Sequence, residues 1–322
     1  QCVFIEENGN GKPPEFTLRF NENSTRAHSK KHRVYVLRDF LLRNYPSLKP
    51  SCTVLDVAGG KGDLSWILRN VDDINSIIAD PRLPNHRRLV KSVNFLLHHP
   101  EEAEIRSVEG LPTHQPLAKL LPRLLVNHET TSNTELSNKT CGDKLLSFPS
   151  PKFMRIHVNN ALIEGLRKIA DDDFRVWDGY WEDERREIES NKTYYGGTVP
   201  KTATGQVDSA EDGHITNSRV ALETFQSLDL IVGFHPDQAT EASVDLALLL
   251  GIPFVVVPCC VFPSDFPERT FDGKRVKTHG EFLDYLCAKH HKIRREKLPF
   301  VETDTAKNVV LYMLEEDIGY NR

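Results

Sequence analysis

Thr53-Val54-Leu55-Asp56-Val57-Ala58-Gly59-Gly60-Lys61-Gly62-Asp63-Leu64-Ser65 is the stretch from which the fold follows. An apolar run ends in an acid, passes three glycines in four positions, and re-enters an apolar pattern at helical spacing. That order reads strand, tight turn, helix. Glycine is needed where the backbone turns sharply and lies flat against a ligand, because a Cβ would hold the ligand away. Open α/β sheets bind ligands beyond the carboxyl ends of their strands, so the turn marks a nucleotide-type pocket.

Three kinds of loop compete for this pattern. A phosphate-gripping P-loop ends in Gly-Lys-Ser/Thr, whereas Lys61 is followed by Gly62. The dinucleotide fingerprint Gly-x-Gly-x-x-Gly is only approximated by Gly60, Gly62 and Ser65. The third is the S-adenosylmethionine (SAM) loop of class I methyltransferases, acid-x-Gly-x-Gly-x-Gly. Asp56-Val57-Ala58-Gly59-Gly60-Lys61-Gly62 matches it, with Ala58 at the first glycine. The methyl group of Ala58 is compatible with the turn provided that residue keeps a negative φ. A second short apolar run, 75–79, ends in Asp80, 18 residues after Gly62. An acid at that strand end can accept from both ribose hydroxyls of a nucleoside; a turn before Pro81 or a helix cap is the plainer use for it. NAD and SAM both carry such a ribose, and SAM needs no pyrophosphate cradle.

At 322 residues the chain is longer than a typical domain, but α/β folds reach this length as one unit. Charged residues at 27% and apolar residues at 39% describe a globular chain. The net charge of −5 argues against a surface that is basic overall. Six scattered cysteines without Cys-x-x-Cys spacing read as free thiols in a reducing compartment, and a cytoplasmic or nuclear location is expected. The run 246–257 is interrupted by Gly251 and Pro253, so no membrane span and no membrane partner are expected. No signal peptide is visible, and a start at Gln1 rather than Met reads as a fragment.

Outward from the glycine loop, residues 1–27 read as a polar extension with a strand at 16–20, and 28–322 as one domain. Helices are expected at 31–42, 63–70, 85–98, 239–250 and 278–291, and buried strands at 52–57, 75–79, 227–234 and 252–257. Regularity weakens over about 110–220, which reads as a large irregular insertion or small subdomain near the substrate side. Strand-like pieces at 152–158 and 174–177 are candidates for a third strand. Trp177, Tyr180 and Trp181 read as core of that subdomain, with base stacking as the alternative. Two last strands, 297–302 and 308–314, form a closing pair. The fold expected is α/β: a mostly parallel, Rossmann-like sheet with helices on both faces and an antiparallel strand pair at its end.

Several segments taken together resemble a known family: Lys30-Lys31-His32-Arg33-Val34, the 56–62 loop, Ile78-Ala79-Asp80, Gly233-Phe234-His235-Pro236-Asp237-Gln238-Ala239-Thr240, Val257-Pro258-Cys259-Cys260 and Ala306-Lys307-Asn308-Val309-Val310. The set is similar to the SAM-dependent methyltransferase domain family that includes tRNA 2′-O-methyltransferases. The methyltransferase-like half of glutathione-transferase-C-terminal-domain-containing protein belongs to the same resemblance. It covers roughly 28–100 and 225–315. It implies a class I fold, SAM as cofactor and RNA, first of all tRNA, as substrate and partner.

In such a sheet the ends of the first, second, fourth and fifth strands converge on one crevice. Asp56 there anchors the loop or meets the methionine ammonium, Ala58, Gly59, Gly60 and Gly62 carry the backbone under the cofactor, and Asp80 holds the ribose. Lys31 and His32 cover the pocket. His235 and Asp237 stand where a base for a hydroxyl acceptor would be; a strand-end histidine and a helix N-cap are the plainer readings. The segment lacks the Asn/Asp-Pro-Pro-aromatic motif of amino-methylating enzymes. Cys259 and Cys260 are adjacent, which points their side chains to opposite faces and argues against a shared metal; core packing is expected, with a cysteine nucleophile as the rarer role. The basic groups Arg87, Arg88, Lys91 and 289–297 read as solvated faces or phosphate contacts. A catalytically silent binding or scaffold module is the second reading, and an NAD-dependent oxidoreductase the third.

Overall fold

The 53–57 run forms β1 (Thr53–Val57), and everything else in the fold is placed against it. A computed structural model describes residues 30–99, 138–169, 174–195, 213–299 and 307–318. β1 pairs in parallel with β2 (Asn75–Ala79) on one side and with β4 (Leu230–Phe234) on the other. β3 (Lys152–Met154) extends the β2 edge and β5 (Phe254–Val257) the β4 edge, both parallel. β9 (Val309–Met313) then lies antiparallel against β5, with β8 (Arg294–Lys297) antiparallel beyond it. The order is β3-β2-β1-β4-β5-β9-β8, seven strands; β6 (Thr270–Phe271) and β7 (Lys274–Arg275) form a separate antiparallel pair. The chain runs outward from β1 through β2 to β3, then crosses back to β4. The topological switch, where open α/β sheets leave a crevice, therefore falls between β1 and β4.

Both faces of the sheet are covered, which is why its central strands are continuous apolar runs rather than alternating ones. Val54, Val232, Val255 and Val310 face α1 (Lys30–Asn44), α2 (Asp63–Val71) and α3 (Arg87–His98). Leu55, Val57, Ile231, Phe254 and Val256 face the other layer. It is built from α5 (Asn160–Ile169), α6 (Phe174–Ser190), α8 (Ser218–Gln226), α9 (Thr240–Leu250) and α10 (His279–Ala288). The helices α4 (Asn138–Leu146), against α3, and α7 (Lys192–Tyr195), after α6, complete the described chain.

Polar contacts fix the register between layers. At the end of α1, Tyr45 donates its hydroxyl to the Phe254 and Met313 carbonyls, across the β5–β9 seam. Arg38 bonds the carboxylates of Asp39 and Asp72, joining α1 to the turn after α2. Glu241 accepts from Arg269, Tyr285 and Lys289, locking α9 to α10.

Three expectations change. The piece at 174–177 is the first turn of α6, not a strand; Trp177, Trp181, Glu184 and Ile188 are buried along one helical face. Trp177 and Trp181 join the same core cluster as Leu55 and Ile231. The described parts of 110–220 are mostly helical and supply β3, as the 152–158 reading allowed. The first strand of the closing pair is Arg294–Lys297, upstream of the expected 297–302. A charged edge strand, Arg-Arg-Glu-Lys, hides from an apolar pattern search, and charge is how exposed edges are protected from pairing. The expected strand at 16–20 lies outside the described residues. No helix among the described residues is long and apolar enough to cross a membrane.

Candidate functional site

At the end of β1 the chain turns at once. The Ala58 N–H donates to the Ala79 carbonyl at 2.8 Å, which holds the start of the loop against β2. The loop then reverses to bring the Gly60 N–H to the Asp80 carboxylate, also at 2.8 Å. That sharp reversal sets Ala58 at φ +51°, so the expected negative φ is overturned. A left-handed alanine costs roughly 1–2 kcal/mol, a strain stored where the loop meets the crevice.

The three glycines do different things. A Cβ on Gly59 would fall 2.7 Å from the Asp56 carboxylate, and one on Gly62 would fall 2.3 Å from Ile78 Cδ1 and 2.8 Å from His86. Those two glycines let the loop settle onto the protein itself. Gly60, at φ +59°, has nothing nearer than Arg82 Nη2 at 3.6 Å. Of the glycines expected under a cofactor, Gly60 alone leaves room for a Cβ, in ordinary contact with Arg82; Gly59 and Gly62 are packing positions.

Asp56 lies beneath the loop, 1% exposed. It accepts from Ser65 Oγ at 2.8 Å, and Ser65 Oγ in turn accepts from Ser76 Oγ at 2.9 Å. Burial pushes its carboxyl up to about 7, with the Ser65 hydrogen bond acting against that and the Asp80 charge adding to it. Of its two expected roles this geometry serves the anchor, because the carboxylate faces the start of α2 and not the crevice.

Asp80 is likewise 1% exposed. Its Oδ2 accepts from Gly60 N–H and from Arg82 Nη2 at 3.0 Å; its Oδ1 accepts from the Arg82 N–H at 2.8 Å and Arg82 Nε at 3.0 Å. The Arg82 guanidinium thus presents two parallel donors to the two carboxylate oxygens, and its own side chain is 55% exposed.

At the end of β4, His235 and Asp237 both have positive φ, +55° and +49°. His235 Nε2 is 2.8 Å from the Lys307 carbonyl and its N–H donates to Val257, so this ring ties β4 to the approach of β9. Asp237 does not cap α9, which starts at Thr240 with no side-chain cap. Its carboxylate instead accepts from Cys259 Sγ at 3.1 Å. Cys260 does not point away. The ligand atoms of Asp237, Cys259 and Cys260 all lie within 4.8 Å of one another. The opposite-face expectation fails because β5 ends at Val257 and Pro258 turns the chain, so strand alternation no longer applies. Cys259 is half-buried; Cys260 and Asp237 are exposed.

A further cluster was not expected. His157, just beyond β3, has Nδ1 2.6 Å from Glu184 Oε1 of α6 and Nε2 2.9 Å from Tyr195 Oη. The Glu184 hydrogen bond holds the His157 imidazolium above its ordinary range, burial opposing it. The field of Asp80 reaches His157 and that of Arg82 reaches Tyr195, so this carboxylate–imidazole–phenol chain borders the same crevice. The side chains of Lys31 and His32 lie outside those described.

Set beside protein-family models, curated proteins and solved structures, the chain matches none.

Proposed function

We propose that this chain is a SAM-dependent methyltransferase of the class I fold, with RNA, first of all tRNA, as the methyl acceptor. One observation carries the reading: a buried carboxylate, Asp80, stands at the end of β2, bonded to the N–H of the one loop glycine that is not crowded by the protein. The pair lies beside the topological switch. The residues fit a nucleoside. Asp80 offers two acceptor oxygens side by side, and the donors now on them, Arg82 Nε and Nη2, have the parallel arrangement of vicinal ribose hydroxyls. Arg82 is more than half exposed, so it has room to swing aside for a ligand, whose hydroxyls must then replace a bidentate charge-assisted pair. Antiparallel β9 and β8 close the sheet as the closing pair of that fold does.

SAM supplies an activated methyl group when bound. The chain's own task is to align an acceptor and exclude water. Asp80 would hold the ribose, Gly60 would lie under the cofactor, and Asp56 would keep the loop in shape from below. Asp237, exposed at the end of β4, is the carboxylate available to take the proton of a hydroxyl acceptor. His235 fits that task less well, because its Nε2 is bonded to the Lys307 carbonyl. Arg87, Arg88 and Lys91 are exposed on α3 and could meet phosphates.

The second reading, a binding module without turnover, is favoured by the internal partners of Asp80, Asp56 and His235. Transfer of label from methyl-labelled SAM into RNA, protein and small-molecule fractions separates the two. The enzyme reading expects label in RNA with wild type and none with Asp80→Ala. SAM binding without label in any fraction would leave the module.

A further inference from the structure

We propose that Asp237, Cys259 and Cys260 form a three-ligand site for a borderline-soft divalent cation of the zinc class. Their ligand atoms lie within 4.8 Å of one another, and Cys259 Sγ is already 3.1 Å from Asp237 Oδ1. Two thiolates on a tetrahedral ion with bonds of about 2.3 Å stand roughly 3.8 Å apart, so closing onto an ion takes about 1 Å of movement or less. Two sulfurs and one carboxylate oxygen are a donor set that suits zinc and excludes magnesium or calcium. Among the described residues the group has three ligands, which leaves a fourth position open, the pattern of a reactive rather than a structural zinc.

Asp237 is not a helix cap, since α9 and the short turn before it have no side-chain cap. The backbone is held at positive φ at both His235 and Asp237, a strained path that delivers the carboxylate to Cys259. Pro258 ends β5 so that consecutive cysteines face one point. Exposure of Asp237 and Cys260 provides the entry path. Binding breaks two S–H bonds, releases two protons to water, and forms two metal–sulfur bonds and one metal–oxygen bond. The field of Asp237 reaches Arg82, so the site borders the crevice of Asp80, and a bound ion would take up the carboxylate named above as a base; its binding is read without SAM.

The test is titration of the full, metal-stripped chain, reduced with a phosphine, with Co2+ as a spectroscopic stand-in. One equivalent should produce a near-ultraviolet thiolate-to-cobalt band that Zn2+ abolishes. Cys259→Ser and Cys260→Ser should each weaken the band, and the double variant should lose it. Asp237→Asn should weaken binding about tenfold or more, since even groups that only support a ligand cost that much. Cys52→Ser and Cys287→Ser should leave the band intact. Zn2+ should also slow alkylation of Cys260 in the wild-type chain, a readout that needs no variant to fold. The proposal is overturned by a folded wild type with no thiolate band at millimolar Co2+, by a band that survives the double variant, or by unchanged alkylation with Zn2+.

Discussion

Asp56 and Asp80 are both about 1% exposed and sit at the ends of adjacent strands, yet their surroundings set them to different work. Asp80 is surrounded by donors; Asp56 has the Ser65 hydroxyl and an otherwise dry setting. With its carboxyl at about 7 against an ordinary 3.8, Asp56 holds a proton more tightly folded than unfolded. Its contribution therefore favours the fold most below about pH 4 and is lost as pH rises to about 7, then stays flat. Asp56→Asn keeps an acceptor for Ser65 and removes the charge. Urea unfolding at about pH 5 and pH 8 should show the variant gaining on wild type as pH rises; a difference that does not change with pH would refute the assignment. The glycines give a second contrast. Gly62→Ala should cost on the order of 3 kcal/mol, from a Cβ 2.3 Å from Ile78 Cδ1 together with the left-handed φ. Gly60→Ala should cost about 1 kcal/mol, from φ alone. Equal urea midpoints for the two would contradict the division between the crowded and the uncrowded glycine.

Among the elements, the β5–β9 seam shows how a distant residue secures the sheet. Tyr45→Phe removes one hydroxyl that serves two carbonyls, and a loss of about 1–2 kcal/mol by urea unfolding is expected; no change would mean the carbonyls are otherwise satisfied. Most of the sheet was readable in the sequence because β1, β2, β4 and β5 are buried on both sides and so appear as unbroken apolar runs. Elements that lie at an edge or mix chemistries were not. β8 is wholly charged. α6 opens with Phe174, Val176 and Trp177, residues typical of strands, and only the spacing of its buried side chains shows the helix. The site divides the same way. Asp80 and Gly60 could be named as candidates because each follows a strand end within a local motif. The partnership of His157 with Glu184 and Tyr195 spans three elements, and Glu184 lies in a run that reads as a solvated acidic face. Convergence of Cys259 with Cys260 required knowing where β5 ends.

At the scale of the whole molecule, the net charge of −5 means RNA would have to be met by a local patch, not by the surface at large. Replacing Arg87, Arg88 and Lys91 together by Glu should weaken tRNA binding at least about tenfold, and the wild-type affinity should fall steeply with salt. SAM affinity should change far less, because Arg87 and Lys91 line the groove between α3 and α4 and none of the three touches Asp80. RNA binding that is unchanged by the triple variant would move the interface elsewhere. The central claim is narrower than any substrate: Asp80 beside Gly60 is a ribose clamp. Calorimetric titration of the folded chain with SAM tests it most directly. Saturable one-to-one binding by wild type, weakened at least about tenfold in Asp80→Ala, is the predicted result, since a lost charge-assisted hydrogen-bond pair costs that much. Equal binding by the two proteins, or no heat from either, would contradict it.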